Sequence, residues 1–460
     1  MNKATIVNRS FSIDCPPKDR VWSALAPRIE EAVRRNGTLI RLILVKARGA
    51  ELVFEGSFLQ TDRELAWPSL LDYRPAVSRP GNNPFVALSI IPTGVRAEIG
   101  GFAGDATPST NLLARACDYL ITNPNSVTAS DIYNAGENIF YLEGNLITHF
   151  LLGHLDLQLQ GPKSIGVLIE QPREERFLNN VLNALNAQRA TGGLAIDPVV
   201  VTEKSLSAEC RFSEFGHASA SFNRMDELVR GLDIIYERGA GAVALSSTLV
   251  LDDRIRQQYY NQEIIPNPWG GAEAILTHTV TNLFPLTAAH APLLAELSHS
   301  MFGTLGDPRD SAELISTAYI CSVIKGLSRS PRPIVPGSVL SNTTRQVAAG
   351  DISAVVMPAN AVGNVVFFSA LEQNIPLILV RGNHTLAGID PETLGINGNL
   401  GTIYYVDSYL EAAGVLLALK SGLSLESLRR PLAPLSPIYL GKKLEDEQEF
   451  RLQLDQLVRA

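Results

Sequence analysis

The sequence predicts an α/β fold: a mostly parallel sheet of Rossmann-like βαβ units in one or two lobes, with a small N-terminal α+β domain of β-α-β-β order. Two observations predict it. From residue 85 onward, short apolar runs alternate with helical stretches: FVALSII, DYLIT, SIGVLIE, PVVVTE, AVALSS, AVVMP and PLILV. Fully apolar runs of this length fit strands buried on both faces of a parallel sheet. Near the N-terminus, residues 5 to 13 instead alternate apolar and polar, as a strand with one buried face does.

In chain order, Asp19 to Asn36 follows as an amphipathic helix, with Val21, Leu25, Ile29 and Val33 at i, i+4 spacing. Pro27 marks a kink or restart inside it, and Gly37 is placed as its C-terminal cap. LIRLILV (39 to 45) and AELVFEGSF (50 to 58) are two strands joined by a short turn at Arg48-Gly49. Residues 1 to 76 therefore form the small domain. Residues 77 to 84, within the Pro-, Gly- and Asn-rich run YRPAVSRPGNNP, form a linker. The α/β domain spans 85 to 440. Its clearest crossover is AVVMP, then the helix NVVFFSALEQN, then IPLILV. A second has Asn223 as N-cap, Leu228, Leu232 and Ile235 on one helix face, and Gly239 as the stop before AVALSS. Residues 441 to 460 are expected to form a charged, solvent-facing helix.

Composition narrows the function. The 460 residues are 45% hydrophobic and 19% charged, ordinary for a globular protein able to bury a large core. A net charge of −8 argues against a nucleic-acid partner, which needs a basic surface. Cys15, Cys117, Cys210 and Cys321 are far apart and form no C-x-x-C pair, which fits reduced thiols in a cytoplasmic protein. No apolar run approaches a membrane span, and the N-terminus lacks a signal peptide's apolar core, so no membrane partner is expected. The sequence leaves an oligomer open.

The stretch IIPTGVRAEIGGFAGDATPSTN (90 to 111) carries the strongest functional signal. It reads as strand, glycine-rich loop and helix start, with Thr107 at the N-cap and Pro108 at the first helical position. Free amides and the helix dipole attract anions there, and Gly94, Gly100, Gly101 and Gly104 let a ligand approach the backbone. No phosphate-binding motif is present. Glu98 and Asp105 would repel a phosphate unless a cation or ligand hydroxyls intervened, and Arg96 offsets only part of that charge, so Mg²⁺ is the cofactor the loop could take.

Other polar clusters follow strands: Asn123 and Asn125 after DYLIT, Ser247-Thr248 after AVALS, Asn360 and Asn364 after AVVMP, and Arg381 and Asn383 after PLILV. Parallel strands share one carboxyl edge, so these clusters and Thr93 are expected to line one pocket for a small-molecule ligand. Gly270, Gly271, Glu273 and His278 lie near a helix start, and Asn342, Thr343 and Arg345 form a candidate anion clamp. Glu98, Asp105, Glu273 and His278 are the candidate acid–base groups. Ser322-Val323-Ile324-Lys325 matches S-x-x-K but lacks its companion motifs. His149 and His154 fall on different faces of a continuous helix, which argues against a zinc site.

The runs IIPTGVRAEIGGFAGDATP, DYLITNPNSVTASDIYNA, NPWGGAEAILTHT and MPANAVGNVVFFSALEQNIPLILVRGN resemble a domain-of-unknown-function family of photosynthetic bacteria and plants, over roughly residues 85 to 435. That resemblance implies no activity. PANAVGNVVFFSALEQNIPLILV alone also resembles the donor half of nucleotide-sugar transferases and epimerases, which implies a ribose contact at Glu372. The expected function is an enzyme acting on a small polar metabolite, phosphorylated or nucleotide-linked, at the carboxyl edge of the sheet. The rival expectation is a non-catalytic ligand-binding or assembly protein.

Overall fold

The structure is a computed structural model that describes residues 4–75, 84–102, 104–123, 135–261, 263–293, 319–338, 345–396, 402–432 and 434–435. It is a mixed α/β fold built on two parallel sheets and an antiparallel N-terminal sheet. The chain divides into two compact units, residues 1–416 and 417–460. In the second unit the described residues include a short 3₁₀ turn, Glu426–Leu428, with no buried side chain. The expected helix over 441 to 460 and the linker over 77 to 83 lie outside the described residues.

The first unit begins with the β-α-β-β order read from the sequence: Ala4–Asp14, Trp22–Val33, Thr38–Arg48 and Glu51–Thr61. The strands pair antiparallel, with Glu51–Thr61 in the middle. The helix runs through Pro27 and stops at Val33, so Gly37 is not its cap. Gly37 instead turns the chain into the next strand at φ +103°, a conformation that favours glycine. Both faces of this sheet contribute side chains to a core, most of them from its middle strand. Leu44, Phe54 and Phe58 belong to the core of the six-stranded sheet. Ile40 and Leu59 belong to the core of the four-stranded sheet.

The six-stranded sheet is wholly parallel. Its order is Ile403–Val406, Leu377–Val380, Ile352–Pro358, Val86–Ser89, Tyr119–Thr122, Ile139–Tyr141. By position along the chain this is the doubly wound order 6-5-4-1-2-3, whose topological switch point lies between Val86–Ser89 and Ile352–Pro358. The four-stranded sheet, inserted in the chain between those halves, is also parallel: Thr287–Pro292, Ala242–Ser247, Ile165–Ile169, Ile196–Val201. Its switch point lies between Ile165–Ile169 and Ala242–Ser247. Helices Met225–Glu237 and Gly270–Leu283 cover one face, where Leu228, Leu232, Ile235, Ile275 and Val280 join Val243, Leu245 and Ala288 in one core. Each such fully buried Leu, Ile or Val side chain stabilises the fold by about 1.5–3 kcal/mol.

Candidate functional site

At the six-stranded switch point, loop 90–106 is held by side-chain amides that imitate peptide groups. Asn123 accepts from Ile91 N–H at 3.0 Å and donates to Ile91 O at 2.7 Å. Asn383 does the same for Ile99, at 2.9 and 3.0 Å, and donates to Tyr409 Oη. Asn360 pairs with Thr385 in the same manner. Gly94, Gly100 and Gly104 take positive φ angles, and a Cβ on Gly101 would stand 2.1 Å from Ala97 O. These glycines therefore make the turn itself. Gly100 N–H donates to the Asp105 carboxylate, and Glu98 is exposed. The helix Thr107–Arg115 has Ala106 at its N-cap. Thr107, expected at the cap, is instead the first helical residue, and its hydroxyl donates to Gly104 O.

Several expected ligand groups lie elsewhere. Asn364 caps the helix Val365–Glu372 by accepting from Phe367 N–H. Arg345 lies over the ring of Tyr119, the first residue of its strand, and so at the amino edge of the sheet. Arg381 is exposed at the carboxyl edge and lies over the Tyr405 ring at 4.6 Å. The sugar-nucleotide analogy also fails on geometry. Leu44 N–H donates to Gly363 O at 2.9 Å, and a Cβ on Gly363 would stand 2.9 Å from Leu44 Cβ, so the N-terminal sheet fills that glycine turn. Glu372 accepts from Ser23 N–H, at the start of the first helix. Asn125, Asn342 and Thr343 lie outside the described residues.

The four-stranded switch point holds an arrangement that the sequence reading missed. Glu273, in the first turn of Gly270–Leu283, places Oε1 3.1 Å from His290 Nδ1. His290 Nε2 lies 2.9 Å from Ser247 Oγ. Across the switch point, Glu170 accepts from Thr248 N–H at 3.0 Å and from the Ser205 hydroxyl, and burial pushes its pKa up. Thr287–Pro292 is a strand of small residues, TAAHAP, without the β-branched run that marks the other parallel strands. That is why His290 went unread. The available signal was a histidine in an apolar segment one helix after NPWGGAE.

The two carboxyl edges face each other. A Cβ on Gly270 would stand 2.7 Å from Thr93 Cγ2, and one on Gly271 would stand 2.2 Å from Ala218 O. Phe102 of the glycine-rich loop packs on Tyr259 at 5.4 Å, and Tyr259 packs on Trp269 at 5.5 Å. Thr93, Gly94, Gly270, Gly271 and Glu273 thus meet at one junction.

His278 points away from that junction. Its Nδ1 donates to Ile40 O at 2.9 Å, and its Nε2 lies 3.2 Å from Glu143 Oε1. Burial holds His278 down near about 3, helped by the Arg41 charge, and raises Glu143 to about 7. Glu143 also accepts from Asn145 N–H, Leu146 N–H and the hydroxyls of Thr277 and Thr281. This centre joins the N-terminal sheet to both lobes. His149 and His154 do meet, Nδ1 to Nδ1 at 2.8 Å, because the helix ends at Leu151 and the next turn folds back. Among the described residues, no three His, Cys, Asp or Glu side chains are grouped to hold a metal ion, and no helix is long and apolar enough to cross a membrane.

A curated relative, named an uncharacterized lipoprotein, of the cyanobacterium Synechococcus sp., is 30% identical over 335 residues, 73% of this chain and 90% of its own length. No solved structure matches the chain. Residues 86–429 match the family described as a protein of unknown function, DUF3326, and the chain belongs to that family.

Proposed function

We propose that this protein is an enzyme acting on a small polar metabolite where the carboxyl edges of its two parallel sheets meet, with His290 moving a proton and Glu273 orienting it. The contact between Glu273 Oε1 and His290 Nδ1, 3.1 Å long and beside a switch point, carries the reading. A carboxylate on one ring nitrogen fixes the tautomer and leaves the other free to take a proton. The Glu273 side chain is 30% exposed, whereas that of His290 is 1% exposed, so the pair runs inward from solvent. Among the described residues no arginine or lysine forms an ion pair with Glu170 or Glu273. A neutral or cationic group is favoured at this centre. The phosphate of a phosphorylated or nucleotide-linked metabolite would lie away from it, toward the exposed Arg381.

A thermal-shift screen of hydroxy acids, amines, sugars and nucleotides, with and without Mg²⁺, tests the reading. A ligand at about 100 times its Kd adds roughly 2.7 kcal/mol to the native state. A hit should stabilise the wild type and lose most of that effect in Glu273→Gln. No shift with any metabolite class would favour the assembly-protein alternative. For location we propose the cytoplasm, supported by four cysteines that form no disulfide. Recovery of the native chain with membranes after cell fractionation would point instead to a lipoprotein, the description that the Synechococcus relative carries.

A further inference from the structure

We propose that Ser247 is a nucleophile and that the site hydrolyses a small ester or thioester through an acyl group carried on Ser247. The proposal rests on the reading of His290 as the proton-transfer group and adds the atom that attacks.

Hydroxyl, imidazole and carboxylate lie in line, Ser247 Oγ to His290 Nε2 at 2.9 Å and His290 Nδ1 to Glu273 Oε1 at 3.1 Å. That is the spacing a base-activated serine requires. Proton positions follow from the partners. The Glu273 carboxylate accepts from Nδ1–H, so neutral His290 carries its lone pair on Nε2, and the Ser247 hydroxyl donates to it. The strands set this up. Leu245 is the register partner of His290, so His290 and Ser247 share the sheet face covered by the helix that carries Glu273. Ser246 faces the other way. Ser247 closes its strand at the switch point, where open parallel sheets hold their ligands.

The step balances. Ser247 Oγ bonds to the carbonyl carbon, the carbonyl electron pair moves to oxygen, and the hydroxyl proton passes to His290 Nε2. The carbon–oxygen or carbon–sulfur bond to the leaving group then breaks, and His290 returns the proton to that group. Water attacks the acyl carbon next, giving its proton to His290. The acid departs and Ser247 recovers its hydrogen. The net reaction consumes one ester or thioester and one water and yields one acid and one alcohol or thiol.

Two features narrow the substrate. Ser247 is 2% exposed, which favours a small acyl group. The amide that follows the nucleophile, Thr248 N–H, is the natural donor to the oxyanion, and here it is held by Glu170. An oxyanion must compete with that carboxylate. Esters and thioesters, with good leaving groups, therefore fit better than amides.

The test is reaction of the full chain with diisopropyl fluorophosphate, followed by peptide mapping. The expected result is one adduct, on Ser247, with fluoride released and none formed in Ser247→Ala. Ser246→Ala should label as the wild type does. Glu273→Gln should label at least about 100-fold more slowly. 4-Nitrophenyl acetate should give a burst of nitrophenolate near one equivalent. Absence of any adduct on Ser247 in folded wild-type protein overturns the proposal. If a metabolite still shifts the melt in a Glu273-dependent way, only the covalent step is lost; if none does, the proton-transfer reading falls with it.

Discussion

Glu143→Gln separates two descriptions of the buried centre that joins the three sheets. The Ile40 carbonyl fixes the hydrogen of His278 on Nδ1, so the 3.2 Å contact with Glu143 needs one more proton. Either Glu143 is a neutral acid donating to Nε2, or the two groups form an ion pair. Burial raises Glu143 to about 7 and lowers His278 to about 3, which favours the neutral pair. A carboxyl raised in the folded state contributes stability that is complete below its unfolded value and is lost as pH rises to its folded value. Between 4.5 and about 7 that amounts to about 3 kcal/mol, at about 1.36 kcal/mol per pH unit. His278 works in the opposite sense, losing stability as pH falls from 6.5 toward 3, so the two nearly cancel between pH 4.5 and 6.5. Glutamine keeps an oxygen for the amides of Asn145 and Leu146 and presents an N–H to His278 as the acid does. Urea denaturation should therefore find the variant close to wild type at pH 5 and about 3 kcal/mol more stable, relative to wild type, at pH 8. A loss of about 3–5 kcal/mol at every pH, the cost of breaking a buried ion pair, would refute the neutral assignment.

Four further variants have expected outcomes. Among the described residues Ser246 Oγ is buried with no hydrogen-bond partner, so Ser246→Ala should raise stability by up to about 1 kcal/mol, and a comparable loss in a thermal melt would show the hydroxyl to be bonded. Gly271→Ala drives a Cβ against the backbone of Ala218 and Ser219 and should cost about 1–3 kcal/mol, whereas Gly414→Ala, in a helix with open space around it, should gain up to about 1 kcal/mol. Asn383→Ala removes the bonds to both sides of Ile99 and to Tyr409, so it should cost about 2–3 kcal/mol and speed amide exchange across residues 97 to 101; unchanged exchange there would mean the loop is held by other contacts.

The parallel strands were legible because burial on both faces leaves a continuous apolar run, as in AVVMP and PLILV. Their partition into two sheets was not. FVALSII and SIGVLIE look alike locally, yet one pairs with Ile352–Pro358 and the other with Ala242–Ser247. Pairing is a long-range property that a local pattern does not encode. At the site, Glu273 stood out by its place in a helix start, and Ser247 by ending an apolar run. His290, between alanines, carried no pattern of its own. The asparagines after strands misled for a physical reason. An amide side chain can bond a ligand or a neighbouring peptide group equally well, and Asn123, Asn360 and Asn383 bond the latter.

The insertion of the four-stranded lobe between halves of the six-stranded sheet governs how the chain reaches its fold. Val86 pairs with Ile352, so the central two strands of the larger sheet cannot zip together until the whole intervening lobe has been made and brought back. The entropy of closing so long a loop grows only logarithmically, but it must be met before those strands reward it. An inserted lobe that collapses first shortens the effective loop to the distance between its own entry and exit. During synthesis the strands Val86–Ser89, Tyr119–Thr122 and Ile139–Tyr141 therefore wait as an incomplete sheet whose Val86–Ser89 edge still lacks its partner, a species exposed to mispairing and to chaperone capture.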